Sequence, residues 1–364
     1  MQTVREWVSD WVRRVLPNGQ AVSFAIMLIV GIAAVMCLGN ILMPVFAAGV
    51  IAYLLEGLVK VAERRRLPRL LAVVVVFNLF MALLVFVFVA LLPLLYQQSM
   101  QLIQQLPLWM TGAQRLVLQL PERYPHIINE TQVYALIAAI RQELLSYGQS
   151  MLTYSYTSLL NLISFIVYAI LVPLLVFFFL KDKCLIVNWF VQYLPRDRNL
   201  TTRVWREVDA QIGNYVRGKF FEVIVLLSAS FVTFTLMEFN YALLLAVLMG
   251  LSVIIPYVGA TLVTFPVMLV AFFQWGATDD FLYLMLAYSV IQALDGVMLV
   301  PLLFSEVVNL HPVAIMVAIL FFGGIWGFWG VFFAIPLATL VKAVLTAWPR
   351  LGEDDNTHKI LTEL

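Results

Sequence analysis

Residues 241–274 form an almost unbroken apolar run of 34 residues that contains Pro256 and Gly259 near its middle. As one straight helix this run would be about 51 Å long, whereas the hydrocarbon core of a bilayer is about 30 Å thick. Proline lacks a backbone N–H and clashes with the preceding helical turn, and glycine permits backbone angles that are closed to other residues. The run is therefore predicted to break into two helical pieces around residues 255–259.

Residues 311–345 repeat this arrangement, and one uninterrupted span, residues 281–299, separates the two runs. The order helix, broken pair, helix, broken pair predicts an inverted repeat in the C-terminal half if each pair enters the membrane and returns on the same side. A version in which each pair crosses the membrane completely satisfies the charge pattern equally well, so both alternatives stay open. The glycines near the middle of the second run are Gly323, Gly324, Gly327 and Gly330.

The whole chain is too apolar for a soluble domain. Of its 364 residues 63% are hydrophobic and 12% charged, and its mean hydropathy is +0.96. No single core of this length buries such a composition. We therefore predict an all-α polytopic membrane protein with about six full transmembrane helices and two broken or re-entrant helix pairs, which makes eight or more membrane segments.

The positive charges set the expected orientation. The loop KVAERRRLPR, residues 60–69, is the most basic in the chain, and the N-terminal segment also carries arginines. Because cytoplasmic loops carry an excess of Lys and Arg, both termini are expected in the cytoplasm. A formal net charge of +1 gives no reason to expect a nucleic-acid partner.

These patterns divide the chain into seven segments. The first two spans of the second segment are expected to be joined by a tight turn near Asn40 and Pro44. The segments are an amphipathic cytoplasmic helix (1–19), three transmembrane helices (20–95), an extracytoplasmic amphipathic helical subdomain (96–150), a transmembrane helix (151–180), a cytoplasmic amphipathic segment (181–219), a transport core with both broken pairs (220–348) and a cytoplasmic tail (349–364).

Polar residues in the transport core are the candidate site. Tyr288, Gln292 and Asp295 follow i, i+4, i+7 spacing and are expected to share one face of a span. A carboxylate near the bilayer is costly unless it faces a cavity, an ion or a proton pathway. The alternative for Asp295, which precedes Gly296, is an interfacial carboxylate without a role. For Glu222 the favoured interpretation is an ion pair with Lys219 at the end of a span.

His311 and Pro312 begin the second broken run. A histidine there can titrate near neutrality and gate or relay protons, but the favoured alternative is that it satisfies a loop carbonyl.

Motifs for bound groups are missing from the sequence. It has no nucleotide-binding glycine loop, no HExxH and no GxSxG, and its two cysteines and three histidines are scattered. We therefore expect no enzyme activity, no catalytic residue, no cofactor and no metal centre.

Several longer stretches resemble a known family. They are "VPLLVFFFLKDK" (172–183), "GNYVRGK" (213–219), "IPYVGA" (255–260), "QALDG" (292–296), "LVPLLFSEVVNLHP" (299–312) and "FFGGIWGFWGVFFAIPLATLVKAVLTAWP" (321–349). The chain is similar to the autoinducer-2 exporter (AI-2E) family of bacterial permeases. The resemblance implies a multi-pass protein of the inner membrane that exports autoinducer-2 or exchanges sodium or lithium for protons. It also implies homo-oligomers, pentamers among them, and an elevator-like movement of a transport domain.

One position departs from that family pattern. Relatives of this kind commonly have Asn after the Asp-Gly pair, and Val297 stands there in this chain. This substitution weakens any transfer of their specificity.

The leading hypothesis is a secondary transporter of a small polar solute. Pro256 and Gly259 are expected to shape one tip of the pathway, and Gly323, Gly324 and Gly327 the other, with polar contacts from Gln292 and Asp295. A sodium or lithium/proton antiporter is the closest alternative. A non-transporting scaffold that binds partners through residues 96–150 and 188–219 is another. The expected partners are membrane lipid, a small polar solute or cation, and further copies of the chain.

Overall fold

A computed structural model describes residues 19–118, 165–192, 199–256, 258–304 and 310–347. Every regular element within these ranges is helical. Six helices are long and apolar enough to cross a membrane. The predicted all-α polytopic fold is therefore confirmed. The N-terminal amphipathic helix before residue 19, most of the 96–150 subdomain and the C-terminal tail lie outside the described residues.

The helices in chain order are as follows. They are α1 (Gly19–Arg64), α2 (Arg69–Phe86), α3 (Leu92–Leu118), α4 (Phe165–Lys181), α5 (Lys183–Gln192), α6 (Asn199–Leu236), α7 (Ala242–Ser252), α8 (Val258–Trp275), α9 (Asp279–Leu294), α10 (Val300–Phe304), α11 (Pro312–Phe332) and α12 (Ala334–Ala347). Two π-helical turns, Val87–Leu91 and Asp295–Leu299, join α2 to α3 and α9 to α10.

The first half of the chain differs from the prediction at one turn. Gly19–Arg64 is a single helix of 46 residues that contains Pro44, so the tight turn expected near Asn40 is absent. Membrane helices tolerate proline because neighbouring groups satisfy the backbone that it leaves unpaired. Residues 20–95 consequently hold two helices instead of three. The helix from Arg69 also runs on through the π-helical turn into α3, past the expected boundary at residue 95.

Three helices pack together at the N-terminal side of the fold. Small or β-branched residues of α1, α2 and α4 form their common core, among them Ala48, Ala52, Ala72 and Val176. Small residues allow helix backbones to approach closely, which is how helices pack in membranes.

Charged residues stabilise the sharp turn that follows α4. The chain turns by 84° between α4 and α5. Glu56, which is buried, pairs with Lys183 (Nζ to Oε1, 3.2 Å) and with Arg69 (Nη2 to Oε2, 3.6 Å). Arg69 also donates from Nη2 to the carbonyl oxygen of Leu180 at 3.0 Å, so it satisfies one of the carbonyls at the end of α4.

Residues 241–274 break where the sequence predicts. Helix α7 ends at Ser252 and α8 begins at Val258. The two arms form a hairpin, hairpin 1, because their far ends meet: Asn240 N donates to Gln274 Oε1 at 2.9 Å. At the tip, a Cβ on Gly259 would overlap the carbonyl oxygen of Ser252. Only glycine allows the arms to come this close.

Residues 311–345 also fold back on themselves and form a second hairpin, hairpin 2. It consists of α11 and α12, and the chain reverses within α11. Gly327 has φ 57° and ψ −133°, which interrupts α11. In a straight helix, residues eight positions apart lie about 12 Å from each other. Here a Cβ on Gly330 would overlap the carbonyl oxygen of Phe322, so the chain reverses at Gly327. The break is therefore confirmed, and its position within the glycine-rich stretch is now fixed.

Helix α6 contacts both hairpins at different levels. Phe234, near its C-terminal end, packs in one core with Leu245 and Val267 of hairpin 1. Tyr215, near its middle, packs in another core with Ile315 and Ile335 of hairpin 2. Helix α6 thus forms the common wall against which both broken pairs are placed.

We expect the close glycines to be essential for the hairpins. Gly330→Ala should lower the free energy of unfolding by about 2 kcal/mol, because the added methyl group must displace the backbone of Phe322. Gly324→Ala in the same hairpin is the matched control, since a Cβ there would have no atom within 4 Å. Thermal unfolding of the purified protein in detergent measures both. An equal loss in the two variants would contradict the packing assigned to Gly330.

Candidate functional site

A hydrogen-bonded group of polar side chains joins α8 to α9. The hydroxyl groups of Thr264 and Tyr288 are 2.8 Å apart, and Gln292 Nε2 donates to Tyr288 Oη at 2.9 Å. Tyr288 Oη also lies 3.3 Å from the carbonyl oxygen of Ala260, to which it can donate. Tyr288 and Gln292 thus share one face of α9, as their i, i+4 spacing predicts.

This group borders an open cleft of about 560 Å³ between α8 and α9. Among the described residues, its lining has no charged side chain. The walls combine hydroxyl and amide groups with apolar surface, which suits an uncharged polar molecule. The lining residues are Ala260, Thr261, Thr264, Phe265, Met268, Met285, Tyr288, Ser289 and Gln292.

Asp295 occupies a different position from the other two predicted site residues. It is 8% exposed and begins the π-helical turn after α9, and it does not line the cleft. Its Oδ1 atom is buried and has no hydrogen-bond partner among the described residues. Asp295 interacts electrostatically with Lys219 and Glu222 of α6. Single π-helical turns inside α-helices are frequent at functional sites, because they change the direction of a side chain.

Lys219 and Glu222 form the predicted ion pair, with Nζ 2.7 Å from Oε2. The pair is buried, with exposures of 6% and 2%. Lys219 Nζ also donates to the carbonyl oxygen of Val253 at 2.8 Å, at the tip of hairpin 1. The sequence signal for this role is weak: Lys219 is the last Lys or Arg before position 342, and two phenylalanines follow it directly.

The predicted tip residues have unequal roles. Pro256 lies in the break of hairpin 1, where its carbonyl oxygen accepts from Val258 N at 2.7 Å, and Gly259 makes the close contact with Ser252. Gly327 is the turning point of hairpin 2, whereas Gly323 and Gly324 remain helical. A Cβ at Gly323 would lie 2.8 Å from Val331 Cγ2, so this glycine also permits the close approach of the two arms.

The remaining predicted site residues do not join this group. His311 is the N-cap of α11, where its Nδ1 accepts from Val313 N at 3.3 Å, and Pro312 is the first residue of the helix. Both are exposed. His311 therefore has a structural contact as a helix cap, although its partner is a backbone N–H and not the loop carbonyl that the sequence suggested. Gly296 is exposed, and a Cβ there would have no atom within 4 Å.

Comparison with known proteins places this arrangement in a family. Residues 23–350 match the family described as AI-2E family transporter. The chain is 43% identical over 344 residues to the Escherichia coli (strain K12) protein named as a permease, PerM, which covers 94% of this chain and 98% of that protein. It is 27% identical over 311 residues to YueF of Bacillus subtilis (strain 168), named as a transport protein, with 84% of each chain covered.

The names of these relatives are those of permeases and transport proteins, and none is the name of an enzyme. With a family match across nearly its whole length, this chain belongs to the AI-2E family of transporters.

Proposed function

We propose that this protein is a secondary transporter that moves a small polar solute, such as a signalling molecule, across the bacterial inner membrane. The observation that carries the proposal is the open cleft between α9 and α8, the second arm of hairpin 1. The hydrogen-bonded side chains of Thr264, Tyr288 and Gln292 line this cleft. A few placed polar groups on an otherwise apolar surface are typical of sites that bind small molecules.

The two hairpins support a transport pathway. Interrupted backbone within a membrane is tolerated only where protein or a water-filled cavity satisfies it, and paired interruptions are typical of transporters. The tip of hairpin 1 contacts Lys219 of α6. Both hairpins pack against α6, hairpin 1 near its C-terminal end and hairpin 2 near its middle. We infer that the pairs are re-entrant, that they enter from opposite sides as an inverted repeat, and that both chain termini are cytoplasmic.

The proposed partners follow from the same assignment. The long apolar helices require membrane lipid, and the family resemblance suggests a homo-oligomer such as a pentamer. The cleft itself is proposed to bind the solute.

We expect Tyr288→Phe and Gln292→Leu each to reduce transport about tenfold at low solute concentration, because each removes one hydrogen-bonding group from the proposed site. Uptake of autoinducer-2 into inverted membrane vesicles measures this effect. Tyr283→Phe is the matched control, since Tyr283 is on the same helix and is 64% exposed. Equal activity of all three variants would refute the cleft as the solute site.

One observation favours exchange of sodium or lithium for protons as a second candidate function. Asp295 is buried, and its Oδ1 lacks a hydrogen-bond partner among the described residues. Buried ionised carboxylates are stable only when they are paired or bind a cation or proton. An acid of this kind next to a transport path is suited to exchange a proton for an ion.

For this second function we expect Asp295→Asn to abolish proton movement driven by a sodium or lithium gradient, because an amide cannot release a proton. A pH-sensitive dye inside proteoliposomes measures that movement. Asp280→Asn serves as the control, because Asp280 is an exposed residue in the first turn of the same helix. If Asp295→Asn keeps full exchange, this candidate function is excluded.

A further inference from the structure

Lys219 makes two contacts that belong to different parts of the fold. Its ammonium group pairs with Glu222 on its own helix, and it also donates to the carbonyl oxygen of Val253, the C-cap residue of α7. Carbonyl groups at the C-terminal end of a helix lack helical donors and carry partial negative charge, so a lysine binds them favourably. The tip of hairpin 1 is therefore tied to α6 by a charged hydrogen bond.

Two carboxylates among the described residues act on this ammonium group. Lys219 contributes one positive charge, while Glu222 and Asp295 contribute two negative charges when they are ionised. All three residues are buried, and both carboxylates interact electrostatically with the same ammonium group. Charges in surroundings of low dielectric attract each other far more strongly than they do in water. The charge of Asp295 therefore contributes to keeping Lys219 in its buried position.

We propose that Lys219 is a positioning residue that transmits the charge of Asp295 to the tip of hairpin 1. While Asp295 is ionised, Lys219 is attracted by its charge in addition to that of Glu222, and it bonds the carbonyl oxygen of Val253. When Asp295 is neutralised, the attraction on Lys219 decreases and the tip is released more often. This inference rests on the proposed function only in so far as the tip belongs to the transport pathway.

A buried cysteine at the tip reports on this bond. Val253 is 6% exposed, and replacing its side chain by Val253→Cys leaves its carbonyl oxygen in place. The reporter is introduced into a chain in which Cys37 and Cys184 are replaced by serine. The rate of its reaction with N-ethylmaleimide in detergent then measures how often the tip opens. Val267→Cys, in the core between α7 and α8, is the reporter for general loosening.

The test compares the labelling rates of Lys219→Met, Asp295→Asn and the double variant in a double-mutant cycle. Lys219→Met should raise the labelling rate of the tip about tenfold, because a charged hydrogen bond is lost. Asp295→Asn should raise the rate severalfold when Lys219 is present. It should have no further effect in the Lys219→Met background, because the group that transmits the charge is missing. The Val267→Cys reporter should stay protected in every variant.

Two additional variants keep the test decisive. Lys219→Met combined with Glu222→Gln removes both members of the ion pair, so it leaves no unpaired Glu222 carboxylate if the single variant folds poorly. Lys183→Met breaks the ion pair that joins α5 to Glu56 of α1, which has no part in hairpin 1, and should leave the tip unchanged.

An effect of Asp295→Asn that is equal with and without Lys219 would overturn the proposal, and so would slow labelling of the tip in Lys219→Met. The assay requires no transport, so its result is separate from that of the flux experiments. If the unsubstituted protein moves no solute but the labelling cycle gives the expected rates, the proposed function alone is refuted. If the unsubstituted protein moves solute but Lys219 and Asp295 show no coupling in the labelling cycle, the role proposed for Lys219 alone is refuted.

Discussion

Backbone groups that lose their helical partners inside a membrane must find others, and this requirement organises the structure. A lone carbonyl or N–H in hydrocarbon costs several kcal/mol, so every interruption needs a partner from elsewhere in the chain. Side chains from distant segments fulfil this role at several interruptions. Arg69 bonds Leu180, and Lys219 bonds Val253, each at the end of a helix.

The open end of hairpin 1 follows the same rule. Gln98 Oε1 of α3 accepts from Leu244 N at 2.9 Å, in the first turn of α7, and Gln274 bonds Asn240 between the arms. The rings of Trp109 and Phe273 stack with centroids 5.0 Å apart, so α3 also packs on the second arm. The part of α3 after residue 95 is thus packed against both arms of hairpin 1.

The sequence predicts the breaks well because proline, glycine and length act locally. Pro256 and Gly259 identify the tip of hairpin 1 without any knowledge of its neighbours. The same reasoning fails at Pro44, where the helix continues through the proline. The i, i+3 spacing of Lys219 and Glu222 predicts their ion pair correctly but contains no information on its burial. The contact of Lys219 with Val253 at the tip of hairpin 1 joins residues 34 positions apart, which local spacing cannot predict.

The two hairpin tips are stabilised by different interactions, although both rely on a glycine against a carbonyl group. At hairpin 1 the ammonium group of Lys219 donates a hydrogen bond to the carbonyl oxygen of Val253, and the strength of this interaction depends on nearby charge. At hairpin 2 the aromatic rings of Phe322 and Trp326 stack with centroids 5.8 Å apart, one turn before the reversal at Gly327. Aromatic packing responds little to the protonation or occupancy of a neighbouring acid, whereas a charged bond in low dielectric responds strongly. If the hairpins act as the two gates of one pathway, the gate formed by hairpin 1 can sense charge through Lys219.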